Sequence, residues 1–377
     1  MARVSVVVPI YNVQKYLRQC LDSIASQTLE DIEVICVNDG STDSSLEIIN
    51  EYVNRDSRFM VVDKKNSGYG HSMNVGFDMA SGEYISIVES DDYIEPDMLE
   101  VLYGCAKEND LDTCKCGFFY YYSAPVERRV PCQVGADSIK NRVICPTAEY
   151  KTKMGFGSLR AQIEFFGIKP TIWSAIYKNS FIKENNIRFT ETPGASFQDT
   201  AFNFKVWALA RRMMLIDGCY LHYRQDNEAS SVNSSAKVFA VCDEFCEIER
   251  FLSERGLANG ALFTVKCALK YDAYIWNYER LGEQSAKEFI LRAADELSAD
   301  VKAGGLPKGA LPWYKRKRLR AIVENPMGYH QNRQRDKAAE LPISEAEEQG
   351  GVVKRWLKKL KRHGLRYTVK SFFRRLR

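Results

Sequence analysis

An α/β fold followed by a mostly helical region is what the sequence predicts, and two features predict it. Over the first hundred residues, short β-rich runs alternate with helix-period segments, the pattern of a parallel sheet with crossover helices. From Val238 to about Ala299 only the helical period remains. A chain of 377 residues, 45% of them hydrophobic, has the length and apolar content for one large globular domain and a smaller one.

Taken in order, Val4 to Pro9 reads as a strand, Gln14 to Ser26 as a helix, Glu33 to Val37 as a strand and Ser44 to Asn54 as a helix. Phe59 to Val62 (strand), His71 to Ala80 (helix), Tyr84 to Val88 (strand) and Pro96 to Lys107 (helix) continue the alternation. Cys116 to Tyr122 looks like a further strand, whereas 123–160 has few period signals. A helix over Asp199 to Ala210 and a strand near Leu215 to Tyr223 follow, then a polar loop from Gln225 to Ser235. Gly304-Gly305, Pro307 and Pro312 break the helical run beyond Val238. The expected organisation is a nucleotide-binding type of domain over 1–235, a helical region over 236–325, a polar linker over 326–350 and a basic amphipathic tail over 351–377.

Eleven cysteines form an odd count without any Cys-x-x-Cys pair, and Cys114-x-Cys116 and Cys242-x-x-x-Cys246 lack partner ligands at zinc spacing. A reducing compartment is expected. No apolar run approaches the ~20 residues that span a bilayer, and the N-terminus enters a strand at once, so the expected location is the cytoplasm. Net charge is +4, but residues 351–377 hold eleven Lys or Arg and no acid, leaving 42 basic against 49 acidic residues elsewhere. That acidic remainder argues against nucleic acid as a partner. In the tail, Val352, Val353, Trp356, Leu357 and Leu360, then Leu365, Val369, Phe372, Phe373 and Leu376, recur on one helical face with Lys and Arg opposite. Such a pair suits the anionic inner face of a membrane, as a peripheral contact. The rival is packing on its own domain or on a second copy in a homo-oligomer.

The candidate chemistry lies at strand ends. Pro9 cannot donate a ladder hydrogen bond, so the chain turns out at the carboxyl edge of the sheet, where open α/β sheets bind ligands. Tyr11 and Asn12 follow it, and Tyr11 could flank a base. The second strand closes in Asn38-Asp39-Gly40-Ser41-Thr42-Asp43-Ser44. Gly40 is free to take positive φ there, Ser44-x-x-Glu47 has the form of a capping box, and Asp39 is placed to accept a pyrimidine imide N–H. After the third strand, Asn66-Ser67-Gly68 opens a helix with N–H groups that could face a ligand. The fourth strand runs into Glu89-Ser90-Asp91-Asp92, three carboxylates that repel one another unless a hard divalent cation turns them into a ligand set. A solvated acidic turn is the plain alternative. The first strand-to-helix turn has no Gly-x-Gly-x-x-Gly, which argues against a dinucleotide-binding enzyme.

The joint order of these segments resembles family 2 glycosyltransferases of the GT-A fold. The likeness is carried by Val6-Val7-Val8-Pro9-Ile10-Tyr11-Asn12, Val37-Asn38-Asp39-Gly40-Ser41-Thr42-Asp43, Asn66-x-Gly68 with Asn74-x-Gly76, Ala80-Ser81-Gly82-Glu83-Tyr84, Glu89-Ser90-Asp91-Asp92 and Ser196-Phe197-Gln198-Asp199, over about residues 3–225. The resemblance implies a mixed nucleotide-binding sheet flanked by helices, a nucleotide-diphospho-sugar donor (commonly a uridine one), a divalent cation, Mn²⁺ or Mg²⁺, and inversion at the anomeric carbon. It makes Asp91 the direct metal ligand, with Asp92 and Glu89 supporting the metal or donor beside Ser90. Asp199 becomes the base that takes the acceptor proton. A plain helix N-cap is its alternative role. Two positions depart from the family pattern: Glu89 stands where Asp is commoner, and Gln198 where Glu usually precedes the catalytic Asp. By the same resemblance the region around His222-Tyr223-Arg224 and Ser230-Ser231 folds over the donor diphosphate. Arg224 would bind phosphate and His222 would complete the metal site or simply be hydrogen-bonded. Gln198 and Trp173 are the acceptor-side candidates, Trp173 having a core role as its alternative. The implied acceptor is a hydroxyl of a glycan or lipid-linked sugar in polysaccharide or glycolipid synthesis. A sugar-nucleotide-binding protein without catalysis, suggested by Gln198, Glu89 and Met73, and another α/β nucleotide enzyme such as a nucleotidyltransferase are the alternatives.

Overall fold

A computed structural model describes residues 2–147, 155–194, 196–227 and 238–339. Its N-terminal half follows the alternating pattern: β1 (Val4–Ile10), α1 (Gln14–Ala25), β2 (Ile32–Asn38), α2 (Ser45–Arg55), β3 (Phe59–Asp63), α3 (Tyr69–Met79) and β4 (Tyr84–Ile87). Strands β3, β2, β1 and β4 lie in that order and pair in parallel. Every residue of β1 and β4 is buried, which is why these runs are continuously apolar rather than alternating.

The sheet then becomes mixed. β5 (Tyr93–Ile94), α4 (Met98–Glu108), β6 (Thr113–Tyr122), β7 (Arg128–Cys132), α5 (Leu159–Phe166), β8 (Ala175–Lys178), α6 (Asn179–Glu184), α7 (Gln198–Leu209) and β9 (Met213–Arg224) complete the second half. β8 runs antiparallel between β4 and β6, β9 lies parallel to β6, and β5 pairs antiparallel with β9. β7 pairs with β6. The expected mixed sheet flanked by helices is therefore present. Within 123–160, read as irregular, β7 and the start of α5 are ordered elements; four of the five β7 residues are exposed, so no apolar period marks that strand.

Among the described residues, five helices follow: α8 (Ala240–Glu254), α9 (Ala261–Arg280), α10 (Glu283–Lys302), α11 (Trp313–Glu324) and α12 (Pro326–Ala339). Contacts divide the chain into Met1–Tyr274 and Ile275–Arg377. The division falls inside α9 rather than at 235/236, because α8 packs on α7: Glu244 accepts the Ala201 N–H at 3.2 Å, and Lys205 reaches Glu247 at 2.5 Å. The polar-linker expectation for 326–350 is corrected over Pro326–Ala339, which is helical. Pro326 starts that helix at a position where no donor is needed. Polar contacts help to hold it, among them the Tyr278 hydroxyl 3.0 Å from His330 Nδ1 and Arg333 on the Glu279 carboxylate at 2.7 to 3.0 Å. Residues 340–350, the 351–377 tail and Ser230-Ser231 lie outside the described residues.

Candidate active site

The order β3-β2-β1-β4 reverses direction at β1, so the crevice beyond the carboxyl ends of β1 and β4 is a topological switch point. The loops after β1 and β4, which carry Tyr11 and Asn12 and the acidic turn, open there. Pro9 is buried in β1, one residue before the strand ends, and Tyr11 stands 52% exposed just beyond it. Asn12 takes a left-handed turn (φ 49°), and its side-chain oxygen accepts the Thr42 N–H at 2.7 Å while its own N–H reaches Ser41 Oγ at 3.1 Å. The β1 and β2 loops are thus stitched together. The expected Ser44 capping box is absent. Asp43 supplies the cap instead, accepting the Ser45 and Gln14 N–H groups at 3.0 Å each, while the Ser44 N–H goes to Gln14 Oε1.

Asp39 is 5% exposed and already holds the next loop. Its Oδ1 accepts the Ser67 N–H at 2.8 Å and the Lys64 ammonium, and its Oδ2 accepts the Gly68 N–H at 3.0 Å. Each carboxylate oxygen can take two donors, so Oδ2 keeps one acceptor direction for a ligand. Gly68 sits at φ 91°, and a Cβ there would lie 2.8 Å from the Thr192 carbonyl. Asn66, in the same loop, is exposed.

Beyond β4 the chain turns sharply: the Asp92 N–H donates to the Glu89 carbonyl at 3.0 Å, with Ser90 and Asp91 between them. Glu89 accepts the Tyr69 hydroxyl at 2.6 Å, yet burial pushes its carboxyl up to about 8, with Asp91 and Asp199 adding to the shift. Asp92 is 1% exposed, and burial followed by Asp91 holds its carboxyl well above the usual range. Its Oδ1 accepts the Arg224 backbone N–H at 2.8 Å, whereas its buried Oδ2 has no hydrogen-bond partner. Asp91 Oδ2 accepts from Asn227 at 2.7 Å. An orphaned buried carboxylate oxygen in a cluster where Asp91 helps to raise both Glu89 and Asp92 is an arrangement that a hard cation would relieve. Among the described residues, no three His, Cys, Asp or Glu side chains form a ready metal group, so ligands from a bound diphosphate would have to complete the sphere.

His222 is engaged through one ring nitrogen. Its ring is fully buried, bonds Glu95 through Nε2 at 2.6 Å and stacks on Tyr93 at 4.1 Å and Phe119 at 4.8 Å. Nε2 thus takes the hydrogen-bonding alternative, while the buried Nδ1 has no hydrogen-bond partner. Arg224 is also buried, with Nε on the Asp91 carbonyl at 2.9 Å, Nη2 on Gln19 at 2.5 Å and its guanidinium over Tyr16 and Tyr121. It braces the acidic turn from behind, through backbone and side chain alike.

Asp199 is not the N-cap of α7. That position belongs to Phe197, held left-handed at φ 63°, and Asp199 lies in the first turn, where the Thr200 hydroxyl reaches it at 3.5 Å and the nearby backbone N–H groups favour its carboxylate. Burial pushes its carboxyl up to about 6, and Lys169 opposes the rise. The Lys169 ammonium lies over the rings of Tyr223 (4.6 Å), Tyr120 (5.2 Å) and Phe118 (5.5 Å). Loss of water against those rings lowers its pKa, while Asp199 draws it back up. Both acceptor-side candidates are buried and engaged by their own surroundings. Gln198 is 2% exposed and clamps its own loop, accepting the Ser196 N–H and donating to Thr192 Oγ1 at 2.8 Å and the Gly194 carbonyl at 3.1 Å. Trp173 is 7% exposed and packs between Phe118 and Tyr223, the core role.

The sequence description of glycosyl transferase family 2 matches residues 5–216, more than half of the chain. The chain belongs to glycosyl transferase family 2. Among family relatives, it is 33% identical over 230 residues to the uncharacterized glycosyltransferase EpsJ of Bacillus subtilis, covering 61% of this chain and 63% of EpsJ. It is 31% identical over 318 residues to the glycosyltransferase GlyA of Streptococcus pneumoniae, covering 79% of this chain and 44% of GlyA. The chain thus matches less than two thirds of the length of these curated relatives. The crystal structure of S. aureus TarS residues 1–349 in complex with UDP-GlcNAc superimposes with a TM-score of 0.65 at 19% identity, covering 89% of this chain and 92% of that one, which establishes likeness of fold.

For a family 2 chain, several site residues escaped the sequence motifs. Tyr69 follows Gly68 in the loop ahead of the helix read from His71 and carries no motif of its own, yet its hydroxyl orders Glu89. Lys169 precedes Pro170 in a stretch without periodicity, so nothing announced its place near Asp199. Glu244 sits about forty residues downstream in a helix and is 1% exposed beneath the α7 N-terminus, where burial pushes its carboxyl up to about 8. Only the last carried a signal: a carboxylate on the otherwise apolar face Val241, Cys242, Phe245, Ile248.

Proposed function

We propose that this chain transfers a sugar from a nucleotide-diphosphate donor to an acceptor hydroxyl with inversion, using Asp199 as the base. The observation that carries the proposal is Asp199 itself: it is released from capping, half-buried, raised to about 6 and electrostatically coupled to Glu89 in the acidic turn. A base poised near neutrality can take the acceptor proton in the transition state, worth about 10²–10⁴ in rate. The acceptor oxygen then bonds to the anomeric carbon as the bond to the donor phosphate breaks, and the electron pair leaves on the nucleoside diphosphate.

In this proposal Tyr11, Asn12 and Asp39 line the base and ribose side, and Asn66 and Gly68 form the adjoining loop. The uridine preference rests on the acceptor direction left on Asp39 Oδ2 and on the family resemblance. Asp91 holds a divalent cation, Mn²⁺ or Mg²⁺, with Asp92 and Glu89 in support. When bound, that cation would neutralise charge developing on the diphosphate. Arg224 keeps Asp91 and Asp92 in place through its backbone N–H and its Nε, and the guanidinium donors not taken by Asp91 and Gln19 are the ones that would meet the donor phosphate. A glycan or lipid-linked sugar is the proposed acceptor class.

Donor-induced shifts in melting temperature against a panel of nucleotide sugars with Mn²⁺, followed by transfer assays, test the proposal. Asp199→Asn should keep donor affinity and lose transfer by at least two orders of magnitude. Asp91→Ala should lose cation-dependent donor binding. Normal turnover by Asp199→Asn would reject the base assignment, and cation-independent donor binding by the parent protein would reject the metal role of Asp91.

A further inference from the structure

We propose that the exposed arc of helix α11 is a docking surface for an anionic lipid bilayer. The helix reads Trp313-Tyr314-Lys315-Arg316-Lys317-Arg318-Leu319-Arg320-Ala321-Ile322-Val323-Glu324. Leu319 and Ile322 are buried, with Lys315 and Val323 half-buried on the same side of the helix. Everything on the opposite arc is exposed. Trp313 is 68% exposed and Tyr314 41%, and Arg316, Lys317, Arg318 and Arg320 share that arc with them. Glu324 is the one acid of the helix, and it lies 3.9 Å from Arg320 with both side chains largely in water, so it offsets little of the charge.

Two independent features of the arc favour lipid. Four exposed cations complement a surface of phosphate headgroups and gain from its negative potential. Trp and Tyr, whose rings are apolar with one polar edge, are the side chains that settle at headgroup depth. Here they are adjacent, at 6.2 Å between ring centroids, on the first turn of the same helix. A nucleic-acid backbone would use the cations but has no apolar layer to receive the indole. Membrane contact was expected from the sequence only at 351–377; α11 is a separate surface. This inference does not depend on the proposed transfer reaction, because binding is read without donor or acceptor.

The test is co-sedimentation of the full-length protein with vesicles of phosphatidylcholine alone and of phosphatidylcholine and phosphatidylglycerol in equal parts, at low and high salt. Binding should require the anionic lipid and weaken with salt. In the full chain, R316Q/K317Q/R320Q should lower the partition coefficient by about fivefold per residue, roughly a hundredfold together. W313A should lower it while leaving the salt dependence unchanged. All four side chains are exposed, so an unaltered melting temperature would show that these variants remain folded. Failure of the parent protein to bind anionic vesicles at low salt would overturn the proposal, as would a triple variant that binds like the parent. Duplex DNA bound as tightly as the anionic vesicles, with no effect of W313A on either, would assign the arc to a polyanion and equally reject the lipid.

Discussion

At the scale of single residues, the chemistry turns on how Asp199 is tuned. Burial raises its carboxyl to about 6, and the Lys169 cation moderates that rise. A base must be ionised to act, so turnover should increase with pH through about 6 and level off above it. Removing Lys169 takes away the charge that favours the carboxylate, and Lys169→Met should therefore move the acid limb of the pH–rate profile to higher pH. A limb that stays in place would mean the ammonium does not face the base. Asp199 was singled out in the sequence by the resemblance of Ser196-Phe197-Gln198-Asp199 to the family's acidic segment, since from local pattern alone it reads equally as a helix cap. Lys169 was not, since it is brought to Asp199 only by the packing of Phe118, Tyr120 and Tyr223 beneath it.

At the scale of elements, the motif residues divide into those that face the crevice and those that build it. Asn74 and Gly76 are builders. Asn74 donates to the Phe189 carbonyl at 3.1 Å and accepts its N–H at 3.0 Å, and a Cβ on Gly76 would lie 2.3 Å from Val7 Cγ1. Since α3 must lie flat on β1, Gly76→Ala should destabilise by about 1–3 kcal/mol, measurable by urea unfolding. Glu244 acts from α8 on the start of α7. Its carboxyl is raised in the folded state from 4.5 to about 8, so the native protein holds the proton more tightly than the unfolded chain. That stability is fully present below about 4.5 and is lost as pH rises through about 8, at no more than about 1.4 kcal/mol per pH unit. Glu244→Gln, neutral at every pH, should flatten the decline of melting temperature over that interval. The parallel half was readable because its strands are buried runs flanked by helix periods. Four-residue β8, exposed β7 and polar α12 were not, because each is held by its partners rather than by an apolar period of its own.

At the scale of the whole molecule, every residue assigned to donor, cation or base lies in the unit Met1–Tyr274, whereas α10, α11 and α12 belong to Ile275–Arg377. A ligand stabilises only the structure whose unfolding would release it. At a hundred times its dissociation constant, a nucleotide sugar with Mn²⁺ should add about 2.7 kcal/mol to the opening free energy of strands β1 to β4. Amide hydrogen exchange resolves this by segment. Protection should rise across Val4–Ile10, Ile32–Asn38 and Tyr84–Ile87 and stay unchanged across Glu283–Lys302 and Trp313–Glu324. Equal slowing in α10 and α11 would mean that the two units open as a single cooperative block. No slowing in β1 would remove the switch-point crevice as the donor site, and with it the roles proposed for Tyr11, Asp39 and Asp91.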